Sequence, residues 1–528
     1  MFARLLLLLL VLPSDARRVR AGHSGRTILL EIEDSLGSEK REVIAARAPQ
    51  LEELMKHTYV ALPKNNRGAI GASIANYALH RLFLQLHSWQ MKDLQPTQGA
   101  WHEHSPTAAL KHAPQKLIDV FDERLNNFGL DLHELAVLAA TIERLVRNEA
   151  DVLLNVSFQA QGFYSPQKLS KTDAMDVMEA YMASYILGTE SIGEEVHREL
   201  SADKIRILMK NIGSYPRWDE VKELLQEFSS KIDGDFDLTT MSNVLLQTTD
   251  KFAQLEEGEC QILKNQLLTM EDRLGSGRVL LSDFYRPALH QGTLEFTESL
   301  DFLRQQGAID ESDPQSLRVI VPNYMMADSN CLASSEYFSV CCADPCEELV
   351  DQLEASVAAP SATPQTLLDA VSAVRGDLTN RSFDADGELS ARLQEVADHH
   401  GGEVPLHGRL FAQWMHYAFP RHCPFPHVSG TTNRQSLTKF QAERHERAAF
   451  AEYKEMREIS EMQYNQGDVS SDFSMWSEDE ELIDPAGNLN TKARSFWHLP
   501  MLLALGSAAT LWKFVGTSSG SASHQKMV

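Results

Sequence analysis

The sequence predicts a mainly α protein of many helices, and three stretches carry that prediction. Ile70 to Trp89 sets Ile74, Ala78, Leu82 and Leu86 on one stripe at helical spacing. Leu130 to Ala150 is apolar nearly all round, as a helix inside a bundle must be. After Pro405, which suits a first helical turn, Leu406, Leu410, Trp414 and Ala418 recur every four residues. Thr27–Glu33 and Leu317–Val321 are the segments that read as strands. At 528 residues, 43% of them hydrophobic, the chain is long enough for several cores. Its formal charge of −25 argues against a nucleic-acid partner.

The N-terminus begins with a basic Met1–Arg4 and an apolar Leu5–Leu12, followed by small residues at Ser14 and Ala16. This is the pattern of a secretory signal peptide over residues 1–16, too short in its apolar run to span a bilayer. Residues 23–174 then read as an N-terminal helical domain. Within it His80 and His87 lie on one helix face but about 10.5 Å apart along the axis, too far to share an ion. Trp101-His102-Glu103-His104 reads as a polar turn, with a His-x-His ligand pair as the alternative. Asn155-Val156-Ser157 and Asn380-Arg381-Ser382 are glycosylation sequons, which suits a secretory chain.

Residues 175–303 form a second helical region with one recognisable loop. Asp272–Asp283 matches a twelve-residue calcium loop in having Gly277 at the sixth position and Val279 at the eighth. Candidate ligands are Asp272, Ser276, the Arg278 carbonyl and Asp283. Leu274 replaces an oxygen at the third position, and Asp283 stands where a bidentate glutamate is usual. The element is therefore a degenerate, EF-hand-like one, with Asp233–Val244 as its candidate sister loop and calcium as its candidate cofactor. Five or fewer protein oxygens imply weak affinity.

Residues 304–430 hold most of the cysteines and a dense histidine cluster. Asp344, Pro345 and Glu347 mark a helix start, with Asp344 as the N-cap. Six cysteines, an even number, suit disulfides in an oxidising compartment. Cys331, Cys341, Cys342, Cys346 and Cys423 are the candidates, whereas Cys260, inside an expected helix, reads as free. Adjacent Cys341 and Cys342 should each find another partner, and Cys423 should bond one of the other four. His399 to His427 contains a second possibility: His407, His422, Cys423 and His427 as a metal-ligand set. In the bland alternative His407 is a buried, hydrogen-bonded residue and His416, on the polar helix face, is solvated.

Four segments, Leu132–Ala150, Gly275–Tyr285, Asn330–Cys342 and Val404–His427, together resemble a group of large secreted or single-pass proteins of algae and other protists. The likeness runs from about Leu51 to His427. It implies an ectodomain with an EF-hand-like element and assigns no catalytic residue.

Beyond it, residues 431–465 read as a charged helix and 466–494 as an acidic linker. Residues 495–515 are apolar and flanked by Trp497 and Trp512, the pattern of a transmembrane helix, and 516–528 form a short tail. The predicted fold class is thus a multi-helix ectodomain with an EF-hand-like helical region and a cysteine-containing region, plus one C-terminal transmembrane helix. No GxSxG elbow, P-loop, HExxH or dinucleotide fingerprint occurs. The expected function is a membrane-anchored ectodomain, lumenal or extracellular, that binds or scaffolds a protein or surface component. The competing class is a lumenal or extracellular metalloenzyme using the histidine cluster.

Overall fold

Ile28 and Ile32, one helical turn apart, are both fully buried, and residues 28–36 form helix α1 where the sequence suggested a strand. The local β preference of Thr27–Glu33 yields to that i, i+4 pairing against the bundle. The computed structural model describes residues 28–95, 105–164, 167–188, 201–290, 296–332, 335–375, 387–444, 449–461 and 473–483. The signal segment, Trp101–His104, the Asn380 sequon and the span at 495–515 lie outside them. Among the described residues no helix is long and apolar enough to cross a membrane.

Helices α2 (Ser38–Ala61), α3 (Ala72–His87), α4 (Gln115–Asn127), α5 (Leu132–Ala160), α6 (Lys171–Leu187), α7 (Ala202–Asn211) and α8 (Trp218–Ser230) build the first core with the front half of α9 (Leu238–Thr269). α5 starts at a capping box: Asp131 accepts from the Glu134 N–H at 2.8 Å, and Glu134 accepts from the Asp131 N–H at 3.1 Å. Its Leu135–Ile142 stretch is buried on every side, as the sequence predicted. Strand β1 (Trp89–Met91) closes this core, and Trp89 stacks between His87 and a phenylalanine at position 338, at 4.1 and 4.4 Å between ring centroids.

A second core follows the long helix α9. β2 (Arg278–Leu280) and α10 (Leu281–Leu289) leave the EF-hand-like loop. Then come α11 (Leu300–Gln305), β3 (Ile309–Asp310), β4 (Arg318–Ile320) and α12 (Val321–Met325). β2 and β3 flank β4, both antiparallel to it, with Val279 opposite Val319. Two helix–loop–helix units therefore share a sheet, and the sister of the Asp272 loop is the segment before Val319. Asp233–Val244 plays a different part: Asp237 caps α9 through the Thr240 N–H at 2.9 Å, and Phe236 bridges to Leu169. Its acids served a cap and a turn, uses that look alike in sequence.

β5 (Phe338–Val340) pairs with β1 and packs its side chains into the first core; the third core is built from α13 (Pro345–Val357), β6 (Ser361–Ala362), α14 (Pro364–Arg375), α15 (Glu388–His399), β7 (Val404–Pro405) and α16 (Arg409–Ala418). Pro405 lies in β7, paired with β6, so α16 begins four residues later than expected. Trp414 is fully buried and donates to the Leu389 carbonyl at 2.8 Å. The charged stretch expected as one helix contains two, α17 (Leu437–Arg444) and α18 (Tyr453–Glu461), with Phe450 bridged to Glu298 between them. Disulfides join Cys260 to Cys342, Cys331 to Cys341 and Cys346 to Cys423. Cys260 is thus bonded rather than free.

Candidate functional site

α16 and the chain after it are where the three cores meet. Its apolar stripe faces the third core, and its polar face is buried too. His416 is 0% exposed: its Nδ1 donates to the Cys423 carbonyl at 2.8 Å, and its Nε2 accepts from Arg278 Nη2 at 3.2 Å. That corrects the expectation of a solvated histidine. Desolvation, with Arg278 second, lowers its pKa to about 3, so the ring is neutral.

The EF-hand-like loop is the element that docks there. Gly277 has φ 64°, and a Cβ at that position would run into the Pro420 carbonyl. Glu271 accepts from the Gly275 and Gly277 N–H groups at 3.0 and 2.9 Å and is gripped by Arg421. Asp272 pairs with Arg318 at 2.7 Å and accepts from Ser276 Oγ at 2.7 Å. The Arg278 carbonyl accepts from the Asp272 N–H at 3.0 Å, while its guanidinium pairs with Asp310. Asp283 pairs with Arg286. The four candidate calcium ligands are thus engaged by protein donors, the two carboxylates by guanidinium groups.

Residues 473–483, expected within an acidic linker, form an ordered strap over α16. Gln413 and Ser477 exchange two hydrogen bonds of 3.1 Å. Arg409 Nη1 donates to the Asp479 carbonyl at 2.8 Å, and Glu480 accepts from the Leu410 N–H at 3.1 Å and faces His400 at 2.6 Å. The Glu480 carboxylate and the Glu481 backbone carbonyl thus take up the open N–H groups of Leu410 and Arg409 in the first turn of α16, a favourable position for negative charge.

Between strap, α16, α13 and α3 lies a cavity of about 260 Å³. Leu406, Phe411, Met415, Pro424 and Leu482 give it apolar walls, and Asp344, Glu347, His407, Arg409, His427 and Glu481 give it polar ones. Behind His407 stands a buried charge network. His407 Nε2 lies 2.7 Å from Glu354 Oε1, and Arg81 holds both Glu354 and Glu347. Burial pushes the Glu354 carboxyl up, but Arg81 and His407 outweigh it and hold it below the ordinary carboxylate range. Tyr77 meets the His407 ring edge-on at 5.3 Å and accepts from Arg81 at 3.2 Å. Asp344 caps α13 through the Cys346 N–H at 2.8 Å, as the sequence predicted.

The candidate metal set is not brought together. Cys423 is bonded to Cys346, His407 is bound to Glu354, and His427 donates from Nε2 to the Gly307 carbonyl at 2.8 Å. His422 lines a separate, small pocket beside the Cys260–Cys342 bond. Among the described residues no group of three His, Cys, Asp or Glu is placed to hold a metal. Asn155 is exposed on α5, whereas Ser157 of its sequon is buried and bonded to the Leu153 carbonyl.

Sequence reasoning missed Arg81, Glu354 and Glu481. Arg81 had a readable signal: an arginine beside the apolar stripe of α3 must find a buried partner. Compared with protein-family models, with curated proteins and with solved structures, the chain matches none.

Proposed function

We propose that this chain is a membrane-anchored binding protein whose N-terminal bulk is lumenal or extracellular, and that the cavity beside α16 is its ligand seat. The observation that carries the reading is the cavity itself, about 260 Å³ with mixed apolar and polar walls. Its lining comes from five separate stretches of chain, and the Cys346–Cys423 bond ties two of them together. A seat fixed by packing and a covalent bridge loses little entropy when it takes a ligand.

The pairing of every cysteine supports an oxidising compartment, in line with the N-terminal signal pattern. The anchor rests on the apolar sequence of residues 495–515. Calcium is no part of this reading, because Arg318 and Arg286 already neutralise the loop carboxylates.

The test is a small-molecule thermal-shift screen of the parent protein and of Ala412→Leu, a variant whose added side chain enters the cavity. A ligand at a hundred times its Kd stabilises by about 2.7 kcal/mol. Hits that stabilise the parent and lose that effect in the variant support the seat. Hits that stabilise both equally place binding elsewhere.

A further inference from the structure

The strap lies on α16 as a bound peptide lies on its receptor. From Trp476 to Ile483 it has neither helix nor turn, and its backbone carries most of the contact. Gln413, fully buried, meets the Ser477 backbone twice, donating to its carbonyl and accepting from its N–H, each at 3.1 Å. Arg409 takes two carbonyls, that of Asp479 through Nη1 at 2.8 Å and that of Glu481 through its own N–H at 3.0 Å. Leu482 then forms an antiparallel bridge to Gly408. In peptide recognition, main-chain bonds of this kind supply affinity and side-chain pockets supply selectivity.

The pockets are present too. The Arg392 guanidinium lies 5.4 Å from the ring centroids of both Phe473 and Trp476, and the Tyr417 ring lies 4.6 and 6.0 Å from them. Glu480 sits between His400 and the Leu410 N–H, and Glu481 accepts from the Ser429 N–H and Oγ–H at 3.0 and 2.8 Å. Ile483 is the buried apolar end, packed into the first core. Charge is complementary as well: burial lowers the pKa of Arg409, and the strap acids Glu481, Asp479 and Glu480 are the main opposing influences.

An empty groove is costly, because Gln413 and Arg409 are buried and would lose the partners of their polar groups. A strap that merely lifts is therefore disfavoured, and one that leaves must be replaced by a peptide making the same bonds. The strap of a second copy makes them by identity, and exchange of an identical element is a low-cost route to dimers. In sequence, residues 462–472 separate α18 from the strap, a connection that spans at most about 40 Å.

We propose that the face of α16 under the strap is a peptide-binding groove, filled by the chain's own strap in a single molecule and by the strap of a second copy when two molecules meet. The exchange is reciprocal, each molecule giving and receiving one strap. Because Glu481, Leu482 and Ile483 also wall the cavity, an exchanged strap carries that wall across to the other molecule. The groove does not depend on the cavity being a ligand seat.

The experiment uses variants of the full chain and a labelled peptide of residues 473–483. Ser477→Pro removes the strap N–H that Gln413 accepts and so frees the groove, whereas Gln413→Leu keeps a competent strap and spoils the groove. In the parent the tethered strap competes at an effective concentration in the millimolar range, so Ser477→Pro is expected to bind the peptide at least about a hundredfold more tightly than the parent. Tagged Ser477→Pro is expected to capture untagged Gln413→Leu, and excess peptide is expected to release it. Trp476→Ala, a second strap variant, is expected to behave as Ser477→Pro does and takes its place if the proline impairs folding. If the peptide binds neither strap variant more tightly than the parent, the groove is overturned. If it binds but no capture occurs, or capture survives excess peptide, the second-copy assignment is overturned and the groove's partner is an acidic peptide of another protein. Either failure leaves the cavity reading standing, since Ala412→Leu tests that reading separately.

Discussion

Nε2 of His407 lies 2.7 Å from Oε1 of Glu354, and Arg81, from a helix more than 250 residues earlier, holds the same carboxylate. The histidine that sequence reading offered to a metal is thereby fixed as the inner end of a buried ion network. Arg81 is 1% exposed and Glu354 0%, so removing the arginine leaves two carboxylates without their cation. Arg81→Leu is expected to cost about 3–5 kcal/mol. Urea unfolding of the variant checks it, and a loss below about 1 kcal/mol would show that the network contributes little.

The Cys346–Cys423 bond closes a separation of 77 residues. In the chain-entropy model that is worth about 4.5 kcal/mol, comparable to the whole stability of a marginal domain. Cys423→Ser is expected to be retained or degraded in the secretory pathway. Peptide mapping without reduction checks the pairing, including the separate partners of Cys341 and Cys342. An alkylatable thiol at Cys423 in the mature protein contradicts it.

His416 is held neutral in the fold, with a pKa of about 3 against 6.5 in the unfolded chain. Between these values the unfolded state binds more protons, so the stability this residue confers is full above about pH 6.5 and is lost as pH falls toward 3. His416→Gln is expected to cost about 2–3 kcal/mol at pH 7.5, because it disturbs bonds to Arg278 and to the Cys423 carbonyl. Parent and variant are expected to converge in stability as the buffer is acidified from pH 6.5 toward 4. A constant gap over that range would show that the buried ring does not titrate as described.

Asp272 is tied to Arg318 and Ser276. Asp272→Asn is expected to cost about 1 kcal/mol, and millimolar calcium is expected to leave the parent's Tm unchanged. A calcium-dependent rise in the parent that the variant lacks would restore the loop as an ion site.

What the sequence made legible was local. The Asp344–Pro345 cap, the stripe through Trp414 and the strand before Val321 depend on neighbours within a few residues, and each is in place. The errors share a different cause. His416 sits on the polar face of an amphipathic helix, and nothing near it in sequence says that Arg278 and the strap will cover that face. Asp233–Val244 has the acids of an ion loop, but Asp237 is used as a helix cap. Cys260 looked idle because its partner, Cys342, comes 82 residues later. The cavity was invisible for the same reason: its walls come from α3, α13, α16 and the strap, and only tertiary packing puts them side by side.

Photo-crosslinking tests the binding seat most directly. A diazirine-bearing analogue of a ligand found in the thermal-shift screen is added to the full chain, irradiated, and the adducts are located by peptide mapping. The account predicts adducts in residues 344–350, 406–415 and 481–483, reduced by excess of the unmodified ligand and by Ala412→Leu. Adducts confined to other peptides, or unaffected by both, would contradict it.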